Sequence, residues 1–145
     1  MTMFRTFLIL LILFGSTASA QSNRAFLDQI ERVTVENIQR VICNPTPQKK
    51  CAPATEDELR AYPLSRAVST QVYENAVRSA AAVSCKIDFA KLVYRPMMKR
   101  FRNSNEFSQR QLAYIGLQHG ITMGALEGNE GVQCNAAWKE AFGLN

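Results

Sequence analysis

The sequence predicts an all-α fold, a single domain of five or six helices held together by disulfides. Three observations predict it: apolar residues recur at helical spacing, helix-start and helix-stop residues are frequent, and the alternating apolar pattern of strands is nearly lacking. About 125 residues follow the first twenty, which is enough to enclose one hydrophobic core. Hydrophobic residues make up 47% of the chain, an ordinary share for a folded protein.

The N-terminus has the order of features typical of a secretory signal peptide. Arg5 is followed by an apolar run over Phe7–Phe14 and then by the small residues Ala18-Ser19-Ala20. The run is shorter than the roughly 20 apolar residues that a membrane span needs. We therefore expect a cleaved signal peptide over 1–20 and a secreted or periplasmic helical domain over 21–145, with no transmembrane span. A bacterial periplasmic protein fits these features well, and eukaryotic secretion stays open.

Three helices are predicted in the first half of the mature chain. Over Asn23–Ile42 apolar residues recur every three or four positions, and the proline pair that follows ends this helix. A short helix begins after Thr55, which can cap its first turn, and is closed by Pro63. The alanine-rich segment Leu64–Ser84 is expected to form a longer third helix.

The second half of the chain predicts the remaining helices. The segment Lys86–Asn103 has apolar residues on one side and basic residues on the other, and we expect an interruption at Arg95-Pro96. Ser108 has the position of a capping residue for a helix that runs to about Leu126. A last short helix is expected over roughly Asn135–Phe142.

All four cysteines, Cys43, Cys51, Cys85 and Cys134, lie in the mature part of the chain. An even number of cysteines in an exported chain predicts two disulfides, for which three pairings exist. We favour Cys43 with Cys51, which closes the proline-rich loop, and Cys85 with Cys134, which joins the ends of the C-terminal half. The cysteine spacings are long and the chain has one histidine, so we predict neither a metal site nor a cofactor.

A cystine that spans about fifty residues in a small helical periplasmic protein is similar to the arrangement in bacterial acid-stress chaperones. The similarity covers only Cys85 to Cys134 and rests on spacing and helical class. It implies a protein that loosens in acid and then binds other unfolding proteins.

Basic residues concentrate between Lys86 and Arg102, where Asp88 is the only acid. On a helical projection several of them fall on one side, which predicts a partner-binding patch for an acidic protein or an anionic envelope surface. A solvated helix face is the alternative, and nucleic acid is a poor candidate because export separates the protein from most of it. The predicted patch consists of Lys91, Tyr94, Arg95, Met98, Lys99 and Arg102.

Gly116, Gly120 and Gly124 stand four residues apart inside a predicted helix, at a cost of roughly 3 kcal/mol relative to alanine. Such a row predicts a groove in which another helix lies close. The expected occupant is the small face of the Leu64–Ser84 helix, and the alternatives are a second copy in a homodimer or a lipid-embedded helix. His119 lies beside this row on an apolar face. We expect it to be buried and neutral, and it is a candidate pH sensor.

No catalytic centre is predicted. The chain has no Ser-His-Asp order, no G-x-S-x-G turn and no H-E-x-x-H pair. The segment Cys85–Phe89 resembles part of the secreted phospholipases A2, but Ile87 stands where those enzymes have their histidine. We therefore expect a non-catalytic exported binding or accessory protein, such as an inhibitor or immunity-type module. An acid-stress periplasmic chaperone and a small envelope hydrolase are the alternatives.

Overall fold

The secondary structure is helical throughout the described part of the chain, which confirms the all-α prediction there. The computed structural model describes residues 6–43, 53, 55–60 and 62–144, with side chains described at 23–41, 53, 55–57, 60 and 62–144. The elements in chain order are α1 (Thr6–Cys43), α2 (Glu56–Arg60), α3 (Arg66–Ser84), a π-helical turn (Ala90–Tyr94), α4 (Arg95–Asn103), α5 (Gln109–Ala125), a 3-10 turn (Glu130–Val132) and α6 (Ala136–Ala141).

The first helix, α1, covers the predicted helical segment Asn23–Ile42. Its buried face includes Ile30 and Ile38, whereas Val41 near its end is 53% exposed. Side chains before Asn23 lie outside the described residues, so the signal peptide over 1–20 and the domain over 21–145 stay predictions. In the part of the chain that the structure describes, none of the helices combines the length and apolar character needed to cross a membrane.

Capping residues set the starts of α3 and α5. The Ser108 hydroxyl accepts a hydrogen bond from the Gln111 backbone N–H at 3.2 Å, and the Gln111 side chain accepts one from the Ser108 N–H at 2.9 Å. This reciprocal pair satisfies two backbone donors and confirms the helix start predicted at Ser108. Helix α3 begins slightly later than expected because Ser65, after the buried Leu64, is its capping residue.

Helix α5 lies at the centre of the fold, where it packs against both α1 and α3. Its Ile115 side chain is fully buried in the larger hydrophobic core. That core joins residues of α1, α3, α4 and α5 with Leu64: Val35, Ile38, Leu64, Val72, Met97, Met98, Phe101, Leu112, Tyr114 and Ile115. A second, smaller core lies beside it around Ala80, Ala81, Leu126 and Val132, with Trp138 and Phe142 packed against it.

A disulfide between Cys85 and Cys134 connects the end of α3 to the segment before α6. It closes a sequence separation of 49 residues and confirms the second predicted pairing. The Cys134 backbone N–H also donates to the Ser84 hydroxyl at 2.8 Å, which fixes the same junction. The predicted pairing of Cys43 with Cys51 lies outside the described side chains and stays a prediction.

Candidate binding face and buried polar network

The candidate binding face begins on the π-helical turn, whose shape follows from Pro96. In a regular α-helix this proline would lack a backbone hydrogen bond and its ring would collide with the carbonyl of Leu92. Here the Arg95 N–H donates instead to the Ala90 carbonyl, five residues back, so the turn before Pro96 is wider. The chain then continues directly as α4. The predicted interruption at Arg95-Pro96 is therefore a change of helix type rather than a break.

Four exposed basic side chains form a row along this turn and α4, which we call the basic face: Lys91, Arg95, Lys99 and Arg102. Three of them stand three or four residues apart on α4 and so share one side of that helix. The segment 89–105 contains no acidic residue, and the ion pairs among the described side chains use Arg60 and Arg66 instead. The four side chains of the basic face are therefore exposed and take part in no ion pair among the described residues, and the nearest acid in the sequence, Asp88, accepts a hydrogen bond from the Lys91 backbone N–H at 3.0 Å.

Two other members of the predicted patch are less accessible. Met98 exposes only 6% of its surface and belongs to the larger core, so its prediction as a surface contact is corrected. It stands next to Met97 and three residues before Phe101, on the side of α4 that faces the core. Tyr94 is half-buried, and its ring lies against the His119 imidazole with 5.0 Å between the ring centroids.

A groove of about 410 Å³ lies beside the basic face, between α4 and α5. We call it the α4–α5 groove. Arg102 belongs both to its lining and to the basic face, so the two surfaces are continuous. The lining consists of Val41, Tyr94, Met98, Arg102, Gln109, Leu112, Ala113, Gly116 and Leu117.

The glycine row does not pack as predicted. A Cβ added at Gly116 would lie 3.1 Å from the Tyr94 hydroxyl, so this glycine makes room for the tyrosine. At Gly120 and Gly124 an added Cβ would meet no described atom within 4 Å. The expected contact of the whole row with α3 is therefore wrong, because α3 packs against another side of α5, centred on Gln118 and its neighbours. Homodimer packing through the row stays a prediction.

A buried hydrogen-bonded network, which the sequence analysis missed, joins α1, α3 and α5. The Ser69 hydroxyl donates to the Glu31 carboxylate at 2.6 Å. The Gln118 amide donates to the Ser69 hydroxyl at 2.8 Å and to the Ser69 carbonyl at 3.1 Å, and it accepts from the Tyr62 hydroxyl at 3.0 Å. At the surface edge of this buried polar network, the Arg66 guanidinium is 49% exposed, lies 3.2 Å from the Glu31 carboxylate and also pairs with Asp28.

The electrostatics of the network favour a structural role. Burial raises the pKa of Tyr62 well above its usual range, and the negative charge of Glu31 raises it further. Tyr62 therefore stays protonated and keeps donating to Gln118. Spacing contained a signal for both polar members: Glu31 lies four residues after the buried Leu27, and Gln118 lies three after Ile115.

His119 is buried as expected, with 2% of its surface exposed. Its Nε2 atom lies 2.9 Å from the Ser79 hydroxyl, and burial lowers its pKa to about 4. The imidazole is therefore neutral at neutral pH, whereas its role as a pH sensor stays a prediction. A serine this close to a histidine also resembles a nucleophile and its base, but Ser79 is fully buried, so a substrate has no access to it.

Comparison with protein-family models, curated proteins and solved structures finds no match to this chain. Among the described side chains, no group of three histidine, cysteine, aspartate or glutamate residues is placed to hold a metal ion. What the protein does is therefore inferred from the basic face, the α4–α5 groove and the buried polar network.

Proposed function

We propose that this protein is an exported, non-catalytic binding module, of the inhibitor, immunity or accessory kind, whose basic face captures an anionic partner. The partner is a protein or a component of the cell envelope. The observation that carries the proposal is the basic face itself: Lys91, Arg95, Lys99 and Arg102 are all exposed, with no acidic residue between 89 and 105.

The like-charge pairs of the basic face repel one another in the isolated protein. Arg95 and Lys99 stand four residues apart, and Lys99 and Arg102 stand three apart. Like charges at these helical spacings repel, and two such pairs cost roughly 0.5–1 kcal/mol together. An anionic partner would remove this repulsion and gain Coulomb attraction from each cation. Repulsion that an anionic partner relieves is more typical of a binding surface than of a structural element.

Two further features support export of such a module. The N-terminus carries the charged start, apolar run and A-x-A site of a signal peptide. The Cys85–Cys134 disulfide is typical of proteins that fold in an oxidising compartment. A small disulfide-linked domain of this type suits an extracellular or periplasmic environment, where the disulfide persists and keeps the binding surface rigid.

The experiment that tests this function is capture of partners from a native cell-envelope extract by the oxidised protein. The first variant replaces all four basic-face residues with Gln. A matched control replaces two exposed arginines and two exposed lysines elsewhere, Arg24, Arg32, Lys86 and Lys139, with Gln. Both variants lose the same net charge, so a difference between them reports the position of the charges.

We expect the unaltered protein and the control to retain one stoichiometric partner at low salt. Binding by the basic-face variant should be at least about tenfold weaker, and salt should weaken binding by the other two. Equal capture by all three proteins would remove the basic face as the binding surface. A charge-dependent loss in both variants would show only nonspecific attraction.

The second candidate function is an acid-responsive chaperone, and His119 is the observation that favours it. A neutral buried imidazole with a pKa of about 4 makes the fold less stable as the pH falls below its unfolded value. The test compares suppression of client aggregation at about pH 3 and pH 7, with near-UV circular dichroism as the measure of loosening. A protein that keeps its near-UV signal in acid and protects no client would exclude this function.

A further inference from the structure

The basic face and the α4–α5 groove form one continuous surface with two chemical parts. Tyr94, Met98 and Arg102 follow each other at four-residue intervals and line the groove from the side of the π-helical turn and α4. Arg95 and Lys99 each follow a wall residue in the chain, so their side chains project from α4 about 100° further round the helix. The solvent-facing side of a molecule bound in the groove would therefore lie near the positive charges of Arg95 and Lys99.

We propose that this joint surface receives an amphipathic α-helix of a partner protein, which places its apolar stripe in the α4–α5 groove and acidic residues against the basic face. The proposal rests on the binding function proposed above and specifies its partner. Helix-in-groove binding of this type uses a few apolar anchors at helical spacing for affinity and flanking charges for orientation.

The dimensions of the groove fit a short helical contact. Along α5 its lining extends from Gln109 to Leu117, a distance of about 12 Å at the rise of an α-helix. Apolar anchors at positions i, i+3 or i+4, and i+7 of a partner helix span about 10.5 Å. The basic residues between Lys91 and Arg102 extend about 16 Å alongside, which matches three turns of the same partner helix.

Two apolar residues of the groove lining are nearly buried. Met98 and Leu112 expose only 6% and 8% of their surfaces. An interfacial membrane contact uses apolar side chains that project outward among the charges, and Leu92, which is 42% exposed beside Lys91, is one such side chain. The comparison of peptides with vesicles therefore decides between a partner helix and a membrane.

Gly116 and Val41 set the groove's shape. Gly116 has no side chain where α5 borders the groove, and the Tyr94 hydroxyl lies 3.1 Å from the position of its missing Cβ. Val41 is 53% exposed although it is apolar, and it lines the groove from the α1 side. A partner helix would cover this valine. Val83, which is 50% exposed on α3 and does not line the groove, provides a matched control.

The experiment selects binders from a displayed library of helical peptides, about 18 residues long, in which glutamate, lysine, leucine, alanine and serine vary freely. The target is the purified protein with its disulfide formed. The consensus peptide is then measured by fluorescence anisotropy against the unaltered protein, the basic-face variant, Val41→Ser and Val83→Ser. Vesicles of phosphatidylglycerol and phosphatidylcholine, and of phosphatidylcholine alone, form the second arm.

The expected peptides carry leucine at i, i+3 or i+4, and i+7, with glutamate flanking that stripe. Their binding should weaken about tenfold in the basic-face variant and about fivefold in Val41→Ser, and stay within about twofold in Val83→Ser.

Selection of acidic peptides that have no apolar periodicity, and whose affinity does not change in Val41→Ser, would overturn the helix-in-groove proposal and leave the binding function standing. Peptides without acidic preference would overturn both. Stronger binding to the anionic vesicles than to any peptide, unaffected by Val41→Ser, would identify a membrane surface and overturn the proposal.

Discussion

Two groups of charged and polar residues in this protein differ in their bonding: the buried polar network is fully hydrogen-bonded, and the basic face forms no ion pairs among the described side chains. In the buried polar network, Glu31 lies against a serine hydroxyl and the Arg66 guanidinium, and Gln118 bonds on both ends of its amide. Among the described side chains, no buried nitrogen or oxygen atom lacks a hydrogen-bond partner. On the basic face, four cations point into solvent and none of them takes part in an ion pair within the described chain.

The difference shows which polar groups serve the fold. A buried polar group that loses its partner costs about 1–3 kcal/mol, so the network must be complete for the three helices to pack. Exposed charges contribute little to stability and are available to another molecule. Substitutions in the buried polar network should therefore cost far more stability than substitutions on the basic face.

The largest effect is expected from Gln118→Ala. The change removes the acceptor of the Tyr62 hydroxyl and the donor to Ser69, and it leaves a cavity between α3 and α5. We expect a loss of about 4 kcal/mol in the free energy of unfolding, measured in urea with the disulfide intact. Gln109→Ala, at an exposed position on the same helix, should change it by less than about 0.5 kcal/mol. Similar losses in the two variants would mean that the network does not hold the interface.

Acid should weaken the fold through His119. Its pKa is lowered from 6.5 to about 4 in the folded protein, so between these values the unfolded chain binds a proton that the folded chain does not. This group's contribution to stability is complete above about pH 6.5, falls by about 3 kcal/mol towards pH 4, and changes no further below that. The measurement is the difference between the unfolding free energies of the unaltered protein and His119→Gln at several pH values. A difference that does not change with pH would show that His119 does not couple folding to protons.

Much of the fold could be predicted from the sequence because the determining signals are local. Ser108 marked the start of α5 through a capping box, and Pro96 marked the place in the basic segment where an interruption was expected and where the structure changes from π-helix to α-helix. The pairing of Cys85 with Cys134 followed from which half of the chain it would close. These features depend on residues that are close in the sequence, or on the number and positions of the cysteines.

The candidate site could be predicted only in part. The basic row itself followed from spacing, because its members fall on one side of a helical projection, whereas its exposure did not follow from the sequence. The Glu31–Ser69–Gln118 contacts join residues that are 38 and 49 positions apart, and no local pattern specifies which helices meet. The glycine row was misassigned for the same reason: its spacing indicates a smooth helix face but not which neighbour, if any, covers it.

A smaller effect is expected at the glycines, where neighbouring positions on α5 should differ. Gly120→Ala and Gly124→Ala should each raise the free energy of unfolding by about 0.5–1 kcal/mol, because alanine favours the helix and no described atom obstructs the added methyl group. Gly116→Ala should gain nothing, because its methyl group would press on the Tyr94 hydroxyl. Thermal unfolding of the three variants gives the ranking. Equal stabilisation at Gly116 would show that Tyr94 moves aside easily and does not define the groove wall.

Replacement of the basic face should change the stability least and the binding of the partner most. Replacing all four residues of the basic face with Gln removes like-charge repulsion on α4, which favours folding by roughly 0.5–1 kcal/mol. It also removes Arg102 from the last turn of α4, where a positive charge is favoured by about 0.3–1 kcal/mol through the helix dipole. The two contributions nearly cancel, so the free energy of unfolding in urea should stay within about 0.5 kcal/mol of the unaltered value. A loss near that of Gln118→Ala would show that the row supports the fold, whereas an unchanged stability together with lost partner binding would separate the two roles.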